Sequence, residues 1–334
     1  MNDRRPIDIK RYSGGSADIG TAQDGAILEM YNLEGKLIVI KEYALYEFMT
    51  ADTVDPDRTN ISLPTNIQRL LINQGADSEL VGRTFLTTKT LLKKELFKDI
   101  DTSKVIKLSL DALVELTVLE KEIGDYLSKE KEVSNEYEER RKKPSSYAIP
   151  SISDVETRCK TIFQKADHIE QILMEIITIF YPTEGLTKQS HFPKFQDILK
   201  TKYGEADPFY LFIDKSVYFI KVVRELRNSL DHRLKFVKVK DFELQVNTNI
   251  ISPTIELEFK EIKLERVSLS EFLPLVFKNS IYIFEHTIGH LCSTNAKSGF
   301  MTYIIKEIPE NVRRYKHVKY SFWSPLGDTG YFHQ

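Results

Sequence analysis

The segment that decides the reading of this chain opens Asp207-Pro208-Phe209-Tyr210-Leu211-Phe212 and closes Arg224-Glu225-Leu226-Arg227-Asn228-Ser229-Leu230-Asp231-His232-Arg233. Aspartate followed by proline is a helix start. The carboxylate accepts from free N–H groups, and proline is tolerated in the first turn. Phe209, Leu211, Phe212, Val217, Phe219, Ile220, Val222, Val223 and Leu226 then predict a strongly apolar helix to about Leu230. At its far end the apolar pattern gives way to arginine, asparagine, aspartate and histidine.

Upstream of this helix, Ser151 or Ser153 opens another that runs to about Tyr181 and is ended by Pro182-Thr-Glu-Gly185. A shorter helix spans about 192–203 and stops at Gly204. Downstream the period changes to two. Val237 and Val239 alternate with Lys238 and Lys240, and the parity break after Phe236 hints at a bulge or at a strand starting near Val237. Phe242, Leu244 and Val246 follow, then Ile255, Leu257, Phe259, Ile262 and Leu264, which reads as an antiparallel hairpin or small sheet. Ser268 or Ser270 caps a last helix to about Cys292.

The N-terminal part has a different texture. Residues 1–25, with Gly14-Gly15-Ser16, read as a loose arm. Residues 26–43 read as a hairpin with a longer loop at 32–35, and residues 50–64 as a loop. Helices are expected at about 65–73 and 78–98, and a long one from Thr102 or Ser103. The charged tail of that long helix, Lys129 to Lys143, reads as a solvated end carrying pairs such as Glu136–Arg140. Pro144-Ser-Ser-Tyr-Ala-Ile-Pro150-Ser is a linker, and Met301 to Trp323 reads as one or two strands around Pro309. The expected fold class is therefore mainly α with α+β character: a helical bundle with a small antiparallel β insertion at about 234–264, plus an N-terminal α/β region. The expected domains are 1–143, a linker at 144–151, a helical domain at 152–295 and C-terminal strands at 296–334.

The chain has 334 residues, 41% apolar and 29% charged, enough to bury a full core. Its formal net charge of −2 writes no overall attraction to nucleic acid, so any RNA contact must come from a local patch. Cys159 and Cys292 read as reduced, buried thiols of a cytoplasmic protein. The first residues carry no apolar run of a secretory signal, and Phe272 to Cys292 is too interrupted for a membrane span.

Arg227, Asn228 and His232 are the candidate catalytic residues. Arginine offers a planar fork of donors that suits phosphate, and histidine moves a proton near neutral pH. Cleavage of RNA by its own 2′-hydroxyl needs both a proton carrier and a cation for the charge on phosphorus. On a regular helix Arg227 and His232 lie roughly 140° apart. They converge only if the helix loosens at Asp231 or a second copy completes the pocket. Asn228 and His232 share a face, so Asn228 could orient the imidazole or bond a phosphate oxygen. Arg224 and Arg233 are the candidate RNA-binding residues. Lys235, Lys238 and Lys240 read better as the solvent side of a strand.

Arginine, then a polar residue, then a short gap and histidine, at the end of an apolar helix, resembles the signature of HEPN domains. The Arg227-Asn228-Ser229-Leu230-Asp231-His232 segment carries the resemblance, which covers about residues 150–295. It implies a four-helix-type bundle, homodimerisation with facing motifs, and metal-independent RNA cleavage of a kind used by toxins and in antiviral defence. A non-catalytic HEPN-fold scaffold that binds a protein partner or a nucleotide is the alternative. The inserted strands are larger than a minimal domain of this kind needs. The N-terminal region would be a sensor, a substrate guide or the contact of a regulatory protein.

Other constellations carry less. His286 and His290 sit four apart beside Glu285, but the His-Glu-x-x-His order is absent and no third ligand is evident, so partly buried histidines are expected rather than a metal site. Cys159 and His168 are too far apart along a helix to act together. No phosphate loop or dinucleotide fingerprint occurs, and no cofactor is expected.

Overall fold

The structure is a computed structural model, and it describes residues 4–13, 17–141, 149–187, 189–247, 249–297, 301–326 and 330–334. It is a mixed α+β fold, about 50% helix and 19% strand, with the strands in small antiparallel sheets. The chain forms two compact units, residues 1–110 with 297–334, and residues 111–296.

The first unit opens with α1 (Pro6–Tyr12), where the sequence reads as a loose arm. Pro6 stands in its first turn, and the buried Arg11 ties it down through an ion pair of 3.1 Å with Asp55. Gly14-Gly15-Ser16 lies outside the described residues. Then come β1 (Ile27–Leu33), β2 (Lys36–Lys41), β3 (Leu45–Thr50), α2 (Ala51–Val54) and β4 (Asn66–Ile72), the four strands forming one antiparallel sheet in sequence order. The β1–β2 turn is tighter than expected. Glu34 and Gly35 both have positive φ, 50° and 80°, so a two-residue turn of the kind that matches strand twist closes the hairpin. The helix expected at 65–73 is strand β4 instead. The run Leu70-Leu71-Ile72 carries no period that separates helix from strand, and pairing with β3, Thr50 opposite Asn66 and Leu45 opposite Ile72, decides it. A helical stretch follows, α3 (Glu79–Val81) through a π-helical segment at 82–86 into α4 (Thr87–Leu91).

Helix α5 (Thr102–Arg141) crosses the boundary between the units. The expected side-chain pair of Glu136 with Arg140, and residues 144–148 of the expected linker, lie outside the described residues. The second unit continues with α6 (Val155–Phe180), α7 (Phe192–Tyr203) and α8 (Pro208–Asp231). Asp207 caps α8 by accepting from the N–H groups of Phe209 (2.8 Å) and Tyr210 (3.2 Å). The inserted strands are β5 (Val237–Lys240), β6 (Glu243–Leu244), β7 (Ile250–Ile251), β8 (Thr254–Phe259) and β9 (Ile262–Ser268), giving a β5-β8-β9 sheet and a β6-β7 ribbon. The first begins at Val237, where the parity of apolar residues changes. Helix α9 (Leu269–Asn295) closes the unit. Helix α6 packs on α8 and α9, and α7 packs on α8. Cys159, Phe163, Ile177, Leu226, Phe284 and Ile288 are fully buried between them. Each such side chain contributes about 1.5–3 kcal/mol by leaving water.

The chain then returns to the first unit as β10 (Ile304–Glu307), β11 (Tyr320–Ser324) and β12 (Tyr331–His333), an antiparallel sheet whose β11 packs on α4. Residues 297–334 thus group with residues 1–110, and the unit boundary falls inside α5 rather than at the proline-bounded segment. Among the described residues, no helix is long and apolar enough to cross a membrane.

Candidate functional site on helices α6 and α8

Helix α8 does not loosen at Asp231. The N–H of His232 still donates to the carbonyl of Asn228 at 3.0 Å, and the helix ends only beyond it. Arg233 then takes the left-handed conformation (φ 51°), and the Leu234 N–H reaches back to the Ser229 carbonyl at 2.8 Å. This is the closing turn usually built with glycine in the left-handed place. Here the position carries arginine, at a cost of about 1 kcal/mol. The turn leaves the His232 and Arg233 side chains exposed at the helix end. Among the described residues the imidazole of His232 has no hydrogen-bond or ion-pair partner.

Arg227, one turn earlier, is held from three directions. Its Nε lies 3.0 Å from Asp231 and 3.6 Å from Asp167 of α6, and its guanidinium donates to the Asn228 side-chain oxygen at 2.9 Å. Asn228 therefore braces Arg227 rather than the imidazole. Asp231 is shared with Lys160 of α6 at 3.1 Å, and Asp167 also accepts from Gln171 at 2.8 Å. The guanidinium is only partly exposed, so its fork is fixed before any ligand arrives.

Arg224 is not a surface cation. It pairs with Glu170 across the α6–α8 contact, with side chains 14% and 8% exposed. Of the two candidate RNA-binding arginines, Arg233 is the exposed one. Burial pushes the Glu170 carboxyl up to about 7, outweighing the neighbouring Arg224, and Asp167 adds repulsion in the same direction. His191, at the start of α7, feels the same group: burial lowers its pKa, Arg224 lowers it further, and Asp167 opposes them. Lys238 pairs with Glu256 and Lys240 with Glu243, as solvated strand residues do.

Asp167 and Glu170 stand outside the motif that the sequence displays. Their signal is an acidic pair three residues apart among Ala166, Ile169 and Leu173, on the apolar face of α6. Carboxylates on a buried helix face require cationic partners, and Arg224 and Arg227 supply them. An open groove runs beside the site, lined in part by Ser153, Thr157, Lys160, Thr161, Gln164 and Arg233.

The remaining candidates fall into packing roles. His290 stacks on Phe209 (ring centroids 5.0 Å apart) and on Phe212 (5.2 Å), and burial lowers its pKa. His286 lies against Tyr282 and Phe212. Both cysteines are free and buried, and His168 faces Glu115 at 3.5 Å. Among the described residues, no group of three or more His, Cys, Asp or Glu is placed to hold a metal ion. The chain matches no protein-family model, no curated protein and no solved structure.

Proposed function

We propose that this chain is a metal-independent endoribonuclease of the HEPN kind. The observation that carries the reading is an exposed His232, its imidazole without a partner among the described residues, held at the end of α8, one turn beyond an Arg227 that α6 and α8 fix in place. In the proposed reaction the 2′-oxygen of RNA bonds to the adjacent phosphorus and the bond from phosphorus to the 5′-oxygen breaks. One proton leaves the 2′-hydroxyl and one arrives on the departing 5′-oxygen. His232 is the acid or base in that transfer, and Arg227 neutralises the extra charge on the phosphoryl oxygens. Arg233 holds a neighbouring phosphate.

Since α8 remains regular to His232, one copy does not turn Arg227 and His232 toward each other by unwinding. A homodimer with facing motifs completes the pocket in this proposal. A cytoplasmic toxin or antiviral effector, with the first unit receiving a regulatory partner, fits the same chemistry. The test is incubation of the wild type and Arg227→Ala with total tRNA and mRNA in EDTA. Cleavage by the wild type alone supports the assignment, and equal cleavage by both removes Arg227 from it.

A second reading has its own observation. Asp231, Asp167 and Asn228 already engage the Arg227 guanidinium, as they would in a non-catalytic scaffold of the same fold. In that case Arg227→Ala unfolds or loosens the protein, and neither form cuts RNA.

A further inference from the structure

The β insertion packs against α8, and residues 232–236 carry the chain from the helix end to β5. There the loop meets the β8–β9 turn. The Glu258 N–H donates to the Phe236 carbonyl at 2.9 Å, and the rings of Phe236 and Phe259 lie with centroids 4.8 Å apart at 59°. Phe259 is half-buried and braces its neighbour, while Phe236 stays 41% exposed. The Lys260 ammonium stands 5.0 Å from the centre of the Phe259 ring. A phenyl ring left in water is ordinary when it stands alone. Two in contact, with an ammonium over one of them, make a face that another flat ring can extend.

The charges at this edge differ from those on the rest of the insertion. Lys238 pairs with Glu256, Lys240 and Arg266 with Glu243, and Lys263 with Glu265. Arg233, Lys235 and Lys260 are exposed, and among the described residues none of them has an ion-pair partner. Glu261 is the exposed neighbour of Lys260 in the turn. Glu258 stands opposite Lys263, one residue from Phe259 and so on the other face of β8. Positive charge therefore prevails beside the aromatic pair. An acidic protein surface would satisfy these cations and leave the rings unused. A single nucleic-acid strand uses both, its phosphates meeting the cations and a base stacking on the ring. Bases in a duplex are covered by their neighbours, so the stacked base must be a splayed-out one. Four residues of chain separate His232 from Phe236, a span of at most about 14 Å. A base held at Phe236 is thus a near neighbour of a phosphate held at His232.

We propose that Phe236 and Phe259, with Lys235 and Lys260, form a subsite for an unstacked base of single-stranded RNA beside the scissile phosphate. The subsite deepens the nuclease reading above and rests on it only for the identity of that phosphate. The experiment measures, by fluorescence anisotropy, binding of the full chain to a labelled 2′-O-methyl RNA strand of about 10 nucleotides. With its 2′-oxygens blocked, this strand cannot be cut by its own sugar. Two controls share its length: an abasic strand with the same phosphates, and the duplex. Wild type should bind the single strand at least about tenfold more tightly than the abasic one, and more tightly than the duplex despite the duplex's greater charge. Phe236→Leu keeps an apolar side chain but no ring, and should bind the single strand about fivefold more weakly or worse. Phe236→Trp should bind at least as tightly as wild type, and the base-bearing strand, not the abasic one, should quench the new indole. Lys235→Gln should weaken both strands alike and flatten the salt dependence. If Phe236→Leu does not fold, the quenching of Phe236→Trp carries the comparison. Equal binding of base-bearing and abasic strands by wild type, undiminished binding by a folded Phe236→Leu, or no quenching in Phe236→Trp overturns the proposal. Base-dependent binding without cleavage of natural RNA supports the subsite and removes the nuclease reading. Cleavage of natural RNA without base-dependent binding removes the subsite alone.

Discussion

The Glu170→Gln substitution reads directly on the polar layer between α6 and α8. Glu170 is 8% exposed at its side chain, and burial raises its carboxyl from an ordinary 4.5 to about 7 despite the ion pair with Arg224. A carboxyl whose pKa is higher in the folded state binds its proton more tightly there. Its contribution is therefore most favourable below pH 4.5 and is lost as pH rises through 7. Each pKa unit corresponds to about 1.4 kcal/mol, so the loss across that window is about 3 kcal/mol. Glutamine does not titrate and keeps an oxygen for Arg224. Urea unfolding at intervals from pH 4 to pH 8.5, with wild type and variant side by side, measures the difference. The variant should gain about 3 kcal/mol relative to wild type between the ends of the window. Parallel profiles would show that Glu170 ionises as freely folded as unfolded, and the account of this layer would fail.

Arg233→Gly should stabilise the second unit by about 1 kcal/mol in urea melts, since glycine adopts the left-handed conformation without strain, while weakening RNA binding if Arg233 holds phosphate. Asp207→Ala should cost about 1 kcal/mol by removing the cap on the Phe209 and Tyr210 N–H groups, again read by urea midpoints. Gly25→Ala should lower the thermal midpoint, because φ is 77° and an added methyl meets the Glu42 side chain. Burial raises the Cys159 thiol to about 12 and the Cys292 thiol further still, so both should resist iodoacetamide at pH 8 until the protein is unfolded.

The parts of the fold that local chemistry dictates were readable in the sequence. Asp207-Pro208 marks the start of α8, Gly204 follows the end of α7, and the change of parity at Val237 marks the start of β5. What eluded the sequence depends on partners far along the chain. Strand β4 looks helical until β3 is placed beside it, and α1 looks like an arm until Arg11 meets Asp55. The return of β10–β12 to the first unit leaves no local trace. At the site, the arginines and the histidine were visible as a motif. The directions of the Arg227 and Arg224 side chains are set by Asp167 and Glu170, some 60 residues earlier on another helix. Arg224 shows why this matters: by sequence it belongs to a basic cluster, and in the fold it neutralises a buried carboxyl.

In the proposed reaction the exposed imidazole at the end of α8 moves a proton during RNA cleavage. The direct measurement is the cleavage rate of a total RNA substrate, in EDTA, by wild type and by His232→Ala at equal concentration, with circular dichroism confirming the same fold. Wild type should cut the RNA, and the variant should cut it at least about a hundredfold more slowly. Cleavage retained by a folded His232→Ala protein would contradict this role of the imidazole.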